Sequence, residues 1–262
     1  MPTPAASRQP DSPLAPRPEP VLRKQLAGLY RLLAHLRMTD LIFTHVSVRV
    51  PGPEHHFLIN PYGMLFSEIR ASDLIKIDLD GNPVASQDPP RHAYAVNPAG
   101  FTIHSAIHAA RPDLNCIVHT HTAAGMGVAA QRDGLLFITQ HAMKFHGRLA
   151  YHEYEGIATD LSERERLVAD LGPHKAMILR NHGLLAAGRT VPEAFDQIYF
   201  LERACQAQIA AQSGGAALSF PGEAVRTHTA SQFRGDDYPP WIELAWEAAL
   251  RMVADQKEDY ES

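Results

Sequence analysis

Apolar segments with the two-residue period of β-strands alternate along nearly the whole chain with segments that have the period of an α-helix. Residues 46–50 alternate apolar and polar side chains, whereas leucines recur at intervals of three and four within residues 21–38. The other predicted strands cover 56–59, 74–78, 115–119, 134–138 and 176–179, and the other predicted helices cover 99–110, 123–131, 160–171, 191–212 and 241–253. Each such element has an apolar face that another layer must cover, so this order predicts an α/β layered domain.

The two ends of the chain differ in composition from its centre. Seven of the 20 prolines fall within residues 1–20, which contain very few large apolar side chains. Such a segment cannot bury enough apolar surface to offset the entropy cost of ordering it, so we expect a disordered tail there. A Ser-Gly-Gly sequence at 213–215 ends the longest predicted helix. We therefore expect one domain over residues 21–215 and a C-terminal extension, residues 216–262, that contains a helix.

Charge and cysteine content limit which partners and which cellular compartment we expect for the protein. The 24 Lys and Arg against 29 Asp and Glu give a formal net charge of −5, which provides no electrostatic attraction to nucleic acid or to an anionic membrane. No segment approaches the roughly 20 consecutive apolar residues of a membrane span. The only two cysteines, Cys116 and Cys205, are expected to be buried free thiols. We therefore expect a cytoplasmic protein without a nucleic-acid or membrane partner.

Histidines at the ends of two predicted strands are candidate metal ligands. His119 and His121 are two residues apart, so on a strand their imidazoles point to the same face. His182 follows another apolar strand and precedes Gly183, which frees the backbone to turn. Three neutral imidazoles with an open position are typical of a catalytic metal site. Spacing alone leaves core or surface histidines as the alternative.

Three motifs in this order resemble those of the class II aldolase/adducin head-domain family. They are residues 97–113 (NPAGFTIHSAIHAARPD), 119–121 (HTH) and 180–184 (RNHGL), and the resemblance covers about residues 22–215. It implies a three-layer α/β/α domain with a mixed, mostly antiparallel central sheet, assembled as a homo-oligomer, usually a tetramer. It also implies that His119, His121 and His182 bind a divalent metal. Zinc is the first expectation, and Fe(II) or Mn are alternatives.

The sequence departs from the sugar-phosphate aldolases of this family at two places that serve their reaction. Those aldolases carry Ser-Ser-Glu before a helix histidine, and their glutamate removes a proton from the substrate. Residues 98–100 here are Pro-Ala-Gly, and Gly100 cannot accept a proton. Their phosphate-binding turn, a small residue followed by Gly-Asn, corresponds here to Phe43, Thr44 and His45. We therefore predict a substrate without phosphate.

Four residues are candidates for substrate binding through the same resemblance. Gly63 stands where the family has a further glycine of its phosphate loop, and Asn60 lies just before it. The family's proton-donor tyrosine, which a neighbouring subunit supplies, falls near Gln140 and His141. We expect the segment 140–156 to approach the metal site of another subunit.

Two residues are candidates for proton transfer. His104 lies one helical turn from His108, so the two could share the face that meets the metal. Tyr154 lies in a loop that borders the pocket in members of the family. We predict His104 and Tyr154 as catalytic residues, with an orienting or packing role as the alternative.

Three functions remain open at this point. The leading hypothesis is a metal-dependent, lyase-type enzyme that acts on a small oxo- or hydroxy-acid through an enediolate stabilised by the metal. The second is a non-haem Fe(II) enzyme that activates oxygen, since imidazole ligands with open positions also suit iron. The third is a non-catalytic oligomerisation domain like that of adducin.

Overall fold

The structure is a computed structural model and describes residues 17–84, 96–157, 160–233 and 240–262. Most of the predicted disordered tail, residues 1–16, lies outside the described part of the chain. The first helix begins at Glu19, slightly before the predicted start at residue 21. The last residues assigned to the tail are therefore the start of this helix.

Within these ranges the chain forms seven strands and nine α-helices. The strands are β1 (His45–Arg49), β2 (Phe57–Ile59), β3 (Ile75–Ile77), β4 (Cys116–Thr120), β5 (Leu149–His152), β6 (Ala176–Leu179) and β7 (Gly183–Gly188). The helices are α1 (Glu19–His35), α2 (Pro98–Ala110), α3 (Ala123–Ala129), α4 (Gln140–Met143), α5 (Glu163–Leu171), α6 (Val191–Ser213), α7 (Glu223–Gln232), α8 (Pro240–Leu250) and α9 (Lys257–Tyr260). Two 3₁₀ helices cover Ala71–Asp73 and Arg251–Gln256.

The strands form one mixed sheet in the order β3-β2-β1-β4-β7-β6-β5. β5 and β6 run parallel, and the other neighbouring strands pair antiparallel. In the pairing of β1 with β4, His45 lies opposite His119. Directly opposed residues of an antiparallel pair share a face of the sheet, so these two imidazoles lie side by side.

Helices cover both faces of the sheet, because successive strand residues point to opposite sides. On β4, Cys116 and Val118 belong to an apolar core shared with α1 and α6. Ile117, between them, belongs to a second core shared with α2 and α5. The prediction of a three-layer α/β/α domain with a mostly antiparallel sheet is confirmed. Cys116 and Cys205 are buried free thiols, as predicted.

The sequence pattern does not predict β5 or β7, and it wrongly predicts a strand at 134–138. The sequence of β7 is Gly-Leu-Leu-Ala-Ala-Gly, and glycine and alanine are depleted in strands. β7 forms because β4 and β6 pair with it on both sides. In residues 134–138, the backbone N–H of Leu136 donates to the side chain of Gln208 at 2.6 Å instead of to a strand. Tertiary contacts decide both cases.

Residues 216–262 contain three α-helices in their described part, where the sequence predicts one. The ring of Trp246 on α8 packs edge-on against Phe195 on α6, with centroids 5.7 Å apart. Asp259 on α9 accepts a hydrogen bond from Arg31 on α1 at 2.7 Å. The extension therefore packs against the preceding domain through α1 and α6. None of the helices described here is long and apolar enough to cross a bilayer.

Candidate metal centre

Three histidines come together where β4 ends and β7 begins. His119 is on β4, His121 follows that strand directly, and His182 lies in the turn between β6 and β7. One side-chain nitrogen of each lies within 4.8 Å of those of the other two. The structure thus brings together the three residues that two separate sequence motifs predict as metal ligands.

The backbone around His182 permits this close approach. Asn181 has a φ of 55°, in the left-handed region, and Gly183 follows His182 as the first residue of β7. A Cβ on Gly183 would lie 2.5 Å from the carbonyl oxygen of Thr120 and 3.1 Å from Cδ2 of His121. Because a larger residue would collide with the end of β4, glycine at this position allows the two ligand-bearing segments to meet.

Hydrogen bonds fix the orientation of two of the three rings. His119 Nδ1 donates to the carbonyl oxygen of Leu184 at 2.9 Å, and His121 Nδ1 donates to the carboxylate of Asp40 at 3.1 Å. When both rings are neutral, each Nε2 atom carries a lone pair, and these two nitrogens lie 2.8 Å apart. Facing lone pairs at this distance repel each other, whereas a cation between them would be stabilised by both. The donor set therefore fits a divalent metal ion with oriented imidazole ligands.

Burial also favours the neutral, metal-binding form of two of these imidazoles, His119 and His182. Burial lowers the pKa of His119 well below its ordinary value, and nearby His182 and His45 lower it further. Burial lowers the pKa of His182 to about 4, and His121 adds to the effect. A ligating imidazole must be unprotonated, so His119 and His182 are ready to bind metal at neutral pH.

The three histidines open onto a cavity of about 470 Å³. Asp40 and Tyr62 contribute polar groups to its wall, whereas Phe43, Met126 and Ile157 contribute apolar side chains that are also exposed to solvent. This volume lies within the range of about 300–1,000 Å³ that is usual for small-molecule sites. A small molecule can therefore reach the side of the imidazoles that faces the cavity.

Two of the predicted site residues lie at or beside this cavity. Tyr154 lines it, is 52% exposed, and has its ring centroid 6.4 Å from that of His182. Gly63 has a φ of 104°, a conformation that suits glycine, and its neighbour Tyr62 lines the cavity. Tyr154 is thus close enough to the histidines to reach a bound molecule.

The other three predicted substrate-binding residues do not line the cavity of their own chain. Asn60 is buried, and its Oδ1 accepts a hydrogen bond from the hydroxyl of Tyr30 at 2.8 Å. Gln140 is exposed on α4, and the ring of His141 packs on Phe200 with centroids 5.0 Å apart. Asn60 therefore has a structural partner, and Gln140 and His141 lie away from the cavity of their own chain.

The structure does not place His104 on the wall of the cavity. His104 is fully buried, with Nε2 2.8 Å from His45 Nδ1 and Nδ1 2.6 Å from the Ser47 hydroxyl oxygen. The ring centroid of His45 lies 4.5 Å from that of His104 and 5.0 Å from that of His119. His45 rather than His104 therefore lines the cavity. The helical spacing gave the correct face of α2 but could not show that β1 covers it.

Sequence reasoning missed the roles of His45 and Asp40 in this site. The alternation of β1 carries a signal for His45, because it places His45 and Ser47 on the face opposite to Val46 and Val48. No local pattern marks Asp40, since its hydrogen bond to His121 joins residues 81 positions apart. Both contacts depend on the tertiary fold.

Comparison with known proteins gives independent evidence on the family of the chain. The sequence profile of the class II aldolase and adducin N-terminal domain matches residues 24–209. The chain belongs to this family. This class II aldolase and adducin domain is 43% identical to rat alpha-adducin over 247 residues, which are 90% of this chain and 33% of that protein.

Two solved structures of similar proteins show the same fold. An aldolase II superfamily protein from Pseudomonas syringae has a TM-score of 0.88 and 52% identity, and the match covers 93% of this chain and 96% of that one. L-fuculose 1-phosphate aldolase from Glaciozyma antarctica has a TM-score of 0.81 and 28% identity, with 93% of each chain covered. The family and the fold that the sequence motifs predict are both confirmed.

Proposed function

We propose that the protein is a metal-dependent, lyase-type enzyme that acts on an unphosphorylated 2-oxo or 2-hydroxy acid. The observation that carries this proposal is the set of three imidazoles, His119, His121 and His182, that opens onto the cavity. Catalytic metal sites typically combine three protein ligands with an open position for substrate. Zinc is the expected ion, with Fe(II) and Mn as alternatives. When bound, a divalent ion supplies a positive charge that stabilises negative charge on substrate oxygens.

Two side chains of the cavity support this chemistry directly. Asp40 accepts a hydrogen bond from His121 Nδ1 and so holds its Nε2 toward that of His119. Tyr154 presents a phenol beside His182, and a phenolic hydroxyl can donate a hydrogen bond or a proton to a substrate oxygen. In this proposal Asp40 orients a ligand and Tyr154 is the proton donor.

The cavity wall favours a substrate without phosphate. Phosphate-binding turns present successive backbone N–H groups to the anion, usually with glycine allowing the approach. At the corresponding place, Phe43 presents a ring that is 47% exposed and lines the cavity. Because one similar structure is named an L-fuculose 1-phosphate aldolase, that phosphate is the most informative comparison substrate.

We also propose that the protein is a homotetramer in which the segment 140–156 approaches His182 of the partner subunit through α4, since Tyr154 and Gly156 line the cavity of their own chain. Apolar side chains near the cavity mouth support an interface there. Leu41 is 67% exposed, Phe43 is 47% exposed and Ile157 is 77% exposed. A neighbouring subunit would remove these side chains from water, which is favourable. Gln140 and His141 would then contribute to that subunit's cavity.

A panel of unphosphorylated 2-oxo and 2-hydroxy acids tests the proposed function. The zinc-loaded protein is incubated with each acid, and cleavage or decarboxylation products are measured by mass spectrometry. We expect turnover of at least one acid, and its loss in the His119→Ala/His121→Ala variant and after chelator treatment. Turnover that persists in that variant would contradict the proposal. The proposal is also contradicted if no acid is turned over with zinc, manganese or iron.

The similarity to alpha-adducin favours a second candidate, a domain that assembles without catalysing a reaction. This function predicts a stable tetramer and no turnover with any metal. It also predicts that the His119→Ala/His121→Ala variant assembles as the unaltered protein does. Light scattering of both proteins, together with the panel above, separates the two candidates.

A further inference from the structure

His45 lies on the cavity wall beside the three proposed metal ligands without belonging to them. It is opposite His119 in the pairing of β1 with β4, and their ring centroids are 5.0 Å apart. The residue is only 2% exposed, yet it lines the cavity that the histidines share. A molecule bound beside His119 would therefore also lie beside His45.

The ring of His45 occupies the space that a side chain at position 100 would need. A Cβ added to Gly100 on α2 would lie 2.5 Å from Cδ2 and 2.9 Å from Nε2 of His45. Real Cβ atoms do not approach other heavy atoms this closely, so either the ring or the helix would have to move. Position 100 is where the sugar-phosphate aldolases that this sequence resembles carry their glutamate. An imidazole here takes the place of that carboxylate.

A buried run of hydrogen bonds holds the His45 ring in this position. His45 Nδ1 lies 2.8 Å from His104 Nε2, and His104 Nδ1 lies 2.6 Å from Ser47 Oγ. Ser47 Oγ in turn lies 2.8 Å from His108 Nε2. All four side chains are at most 2% exposed. His45 Nε2, in contrast, has no hydrogen-bond partner among the residues that the structure describes, so it is the nitrogen left to interact with a bound molecule.

We propose that His45 is the proton-accepting residue of this site, in place of a carboxylate at position 100. The inference rests on the function proposed above. In the step, the bond between hydrogen and the carbon next to the substrate carbonyl breaks, and its electron pair is shared by that carbon and the carbonyl oxygen. The proton forms an N–H bond at His45 Nε2, while Nδ1 keeps its hydrogen bond to His104. His104 and Ser47 are positioning residues, since they act only through His45.

Deuterium exchange into hydroxypyruvate and pyruvate tests the inference without knowledge of the natural substrate. Both are unphosphorylated 2-oxo acids with exchangeable hydrogens on the carbon beside the carbonyl. The zinc-loaded protein is mixed with each acid in D₂O, and loss of the C3 proton signal is followed by NMR. Zinc content is measured for every variant, so that an effect on metal binding is separated from an effect on proton transfer.

His45→Gln is the decisive variant, because glutamine can keep the hydrogen bond to His104 but is a very weak base. A general base contributes about 10²- to 10⁴-fold, so we expect exchange to slow roughly 100-fold or more at unchanged zinc content. The matched control is His35→Ala, an exposed histidine at the end of α1, which should exchange at the unaltered rate. A smaller loss in His45→Gln overturns the inference and leaves the proposed function standing. No exchange by the unaltered protein with either acid contradicts the inference, whereas the proposed function is decided separately by turnover of the acid panel.

A swap of the two positions tests the steric argument. Gly100→Glu alone should lose zinc-dependent exchange, because its side chain collides with His45. Combining it with His45→Ala should raise exchange at least about tenfold over His45→Ala, because a carboxylate then enters the vacated space. If the double variant catalyses deuterium exchange no faster than His45→Ala, a carboxylate at position 100 cannot replace His45, and the steric argument is contradicted.

A further measurement does not depend on turnover or on the folding of a variant. Two-dimensional ¹H–¹⁵N spectra of the imidazoles in the zinc-loaded protein report which nitrogen of each ring carries the proton. The inference requires His45 to carry its proton on Nδ1, with an unprotonated Nε2. A proton on Nε2 in the resting protein overturns it.

Discussion

Replacing Asp40 with alanine tests whether the contacts behind the histidines make them metal ligands. The carboxylate of Asp40 accepts a hydrogen bond from His121 Nδ1 at 3.1 Å, which keeps the lone pair of Nε2 directed at His119. Loss of such a partner typically lowers metal affinity by 10- to 100-fold. The Asp40 side chain is 42% exposed, so water can partly replace it as the acceptor. We therefore expect the lower end of that range, about tenfold, equivalent to about 1.4 kcal/mol.

The assay is zinc competition with a chelator of known affinity at one fixed pH. Asp40→Asn keeps an acceptor oxygen without the charge and should fall between Asp40→Ala and the unaltered protein. Asp113→Ala is the matched control, since Asp113 pairs with Arg111 ahead of β4, at the strand end away from the histidines. A zinc affinity of Asp40→Ala within about twofold of the control would refute the reasoning that this hydrogen bond orients a ligand.

Three further predictions concern assembly, substrate range and stability. Light scattering at micromolar concentration should give a homotetramer, and a monodisperse monomer contradicts the proposed neighbour contact with the cavity. Coupled assays should detect negligible cleavage of fuculose, rhamnulose or ribulose phosphates, because the exposed ring of Phe43 stands where a phosphate-binding turn would be. Ready cleavage of any of these phosphates contradicts this prediction. Lys144 and Asp196 form an ion pair with each side chain 4% exposed, so Lys144→Met should cost about 3–5 kcal/mol in denaturant unfolding by leaving a buried charge unpaired. Adding Asp196→Leu should recover most of that loss, and a double variant as unstable as the single one contradicts the explanation.

The layers of the fold could be predicted because periodicity reports which face of each element is buried. Residues 46–50 and the leucines of α1 each carry a clear period, and the structure places them in adjoining layers. β7 carries no such signal, since its glycines and alanines have low strand propensity and β4, one of its two pairing partners, lies far away in sequence. Local patterns thus predict elements that form on their own preferences, and they miss elements that neighbours impose.

In the candidate site, too, local patterns predict some residues and tertiary contacts decide the others. His119, His121 and His182 could be singled out because each follows or ends an apolar strand, and strand ends gather at one edge of a sheet. His45 rather than His104 lines the cavity, because the register of β1 against β4 puts His45 between α2 and the cavity. Periodicity does not determine that register. Asn60 also illustrates the limit, since its partner Tyr30 lies on a different element. Pairwise contacts between distant segments decide which polar residue reaches the cavity.

The central claim is that three histidines form a divalent-metal site, and elemental analysis of the purified protein tests it most directly. The protein is purified without chelator and measured beside the His119→Ala/His121→Ala variant, with thermal unfolding to show that both are folded. The account predicts one divalent ion per subunit in the unaltered protein and none in the variant. The claim is contradicted if the unaltered protein lacks stoichiometric metal even after incubation with zinc, manganese or iron. Full metal occupancy in the folded variant would also contradict it.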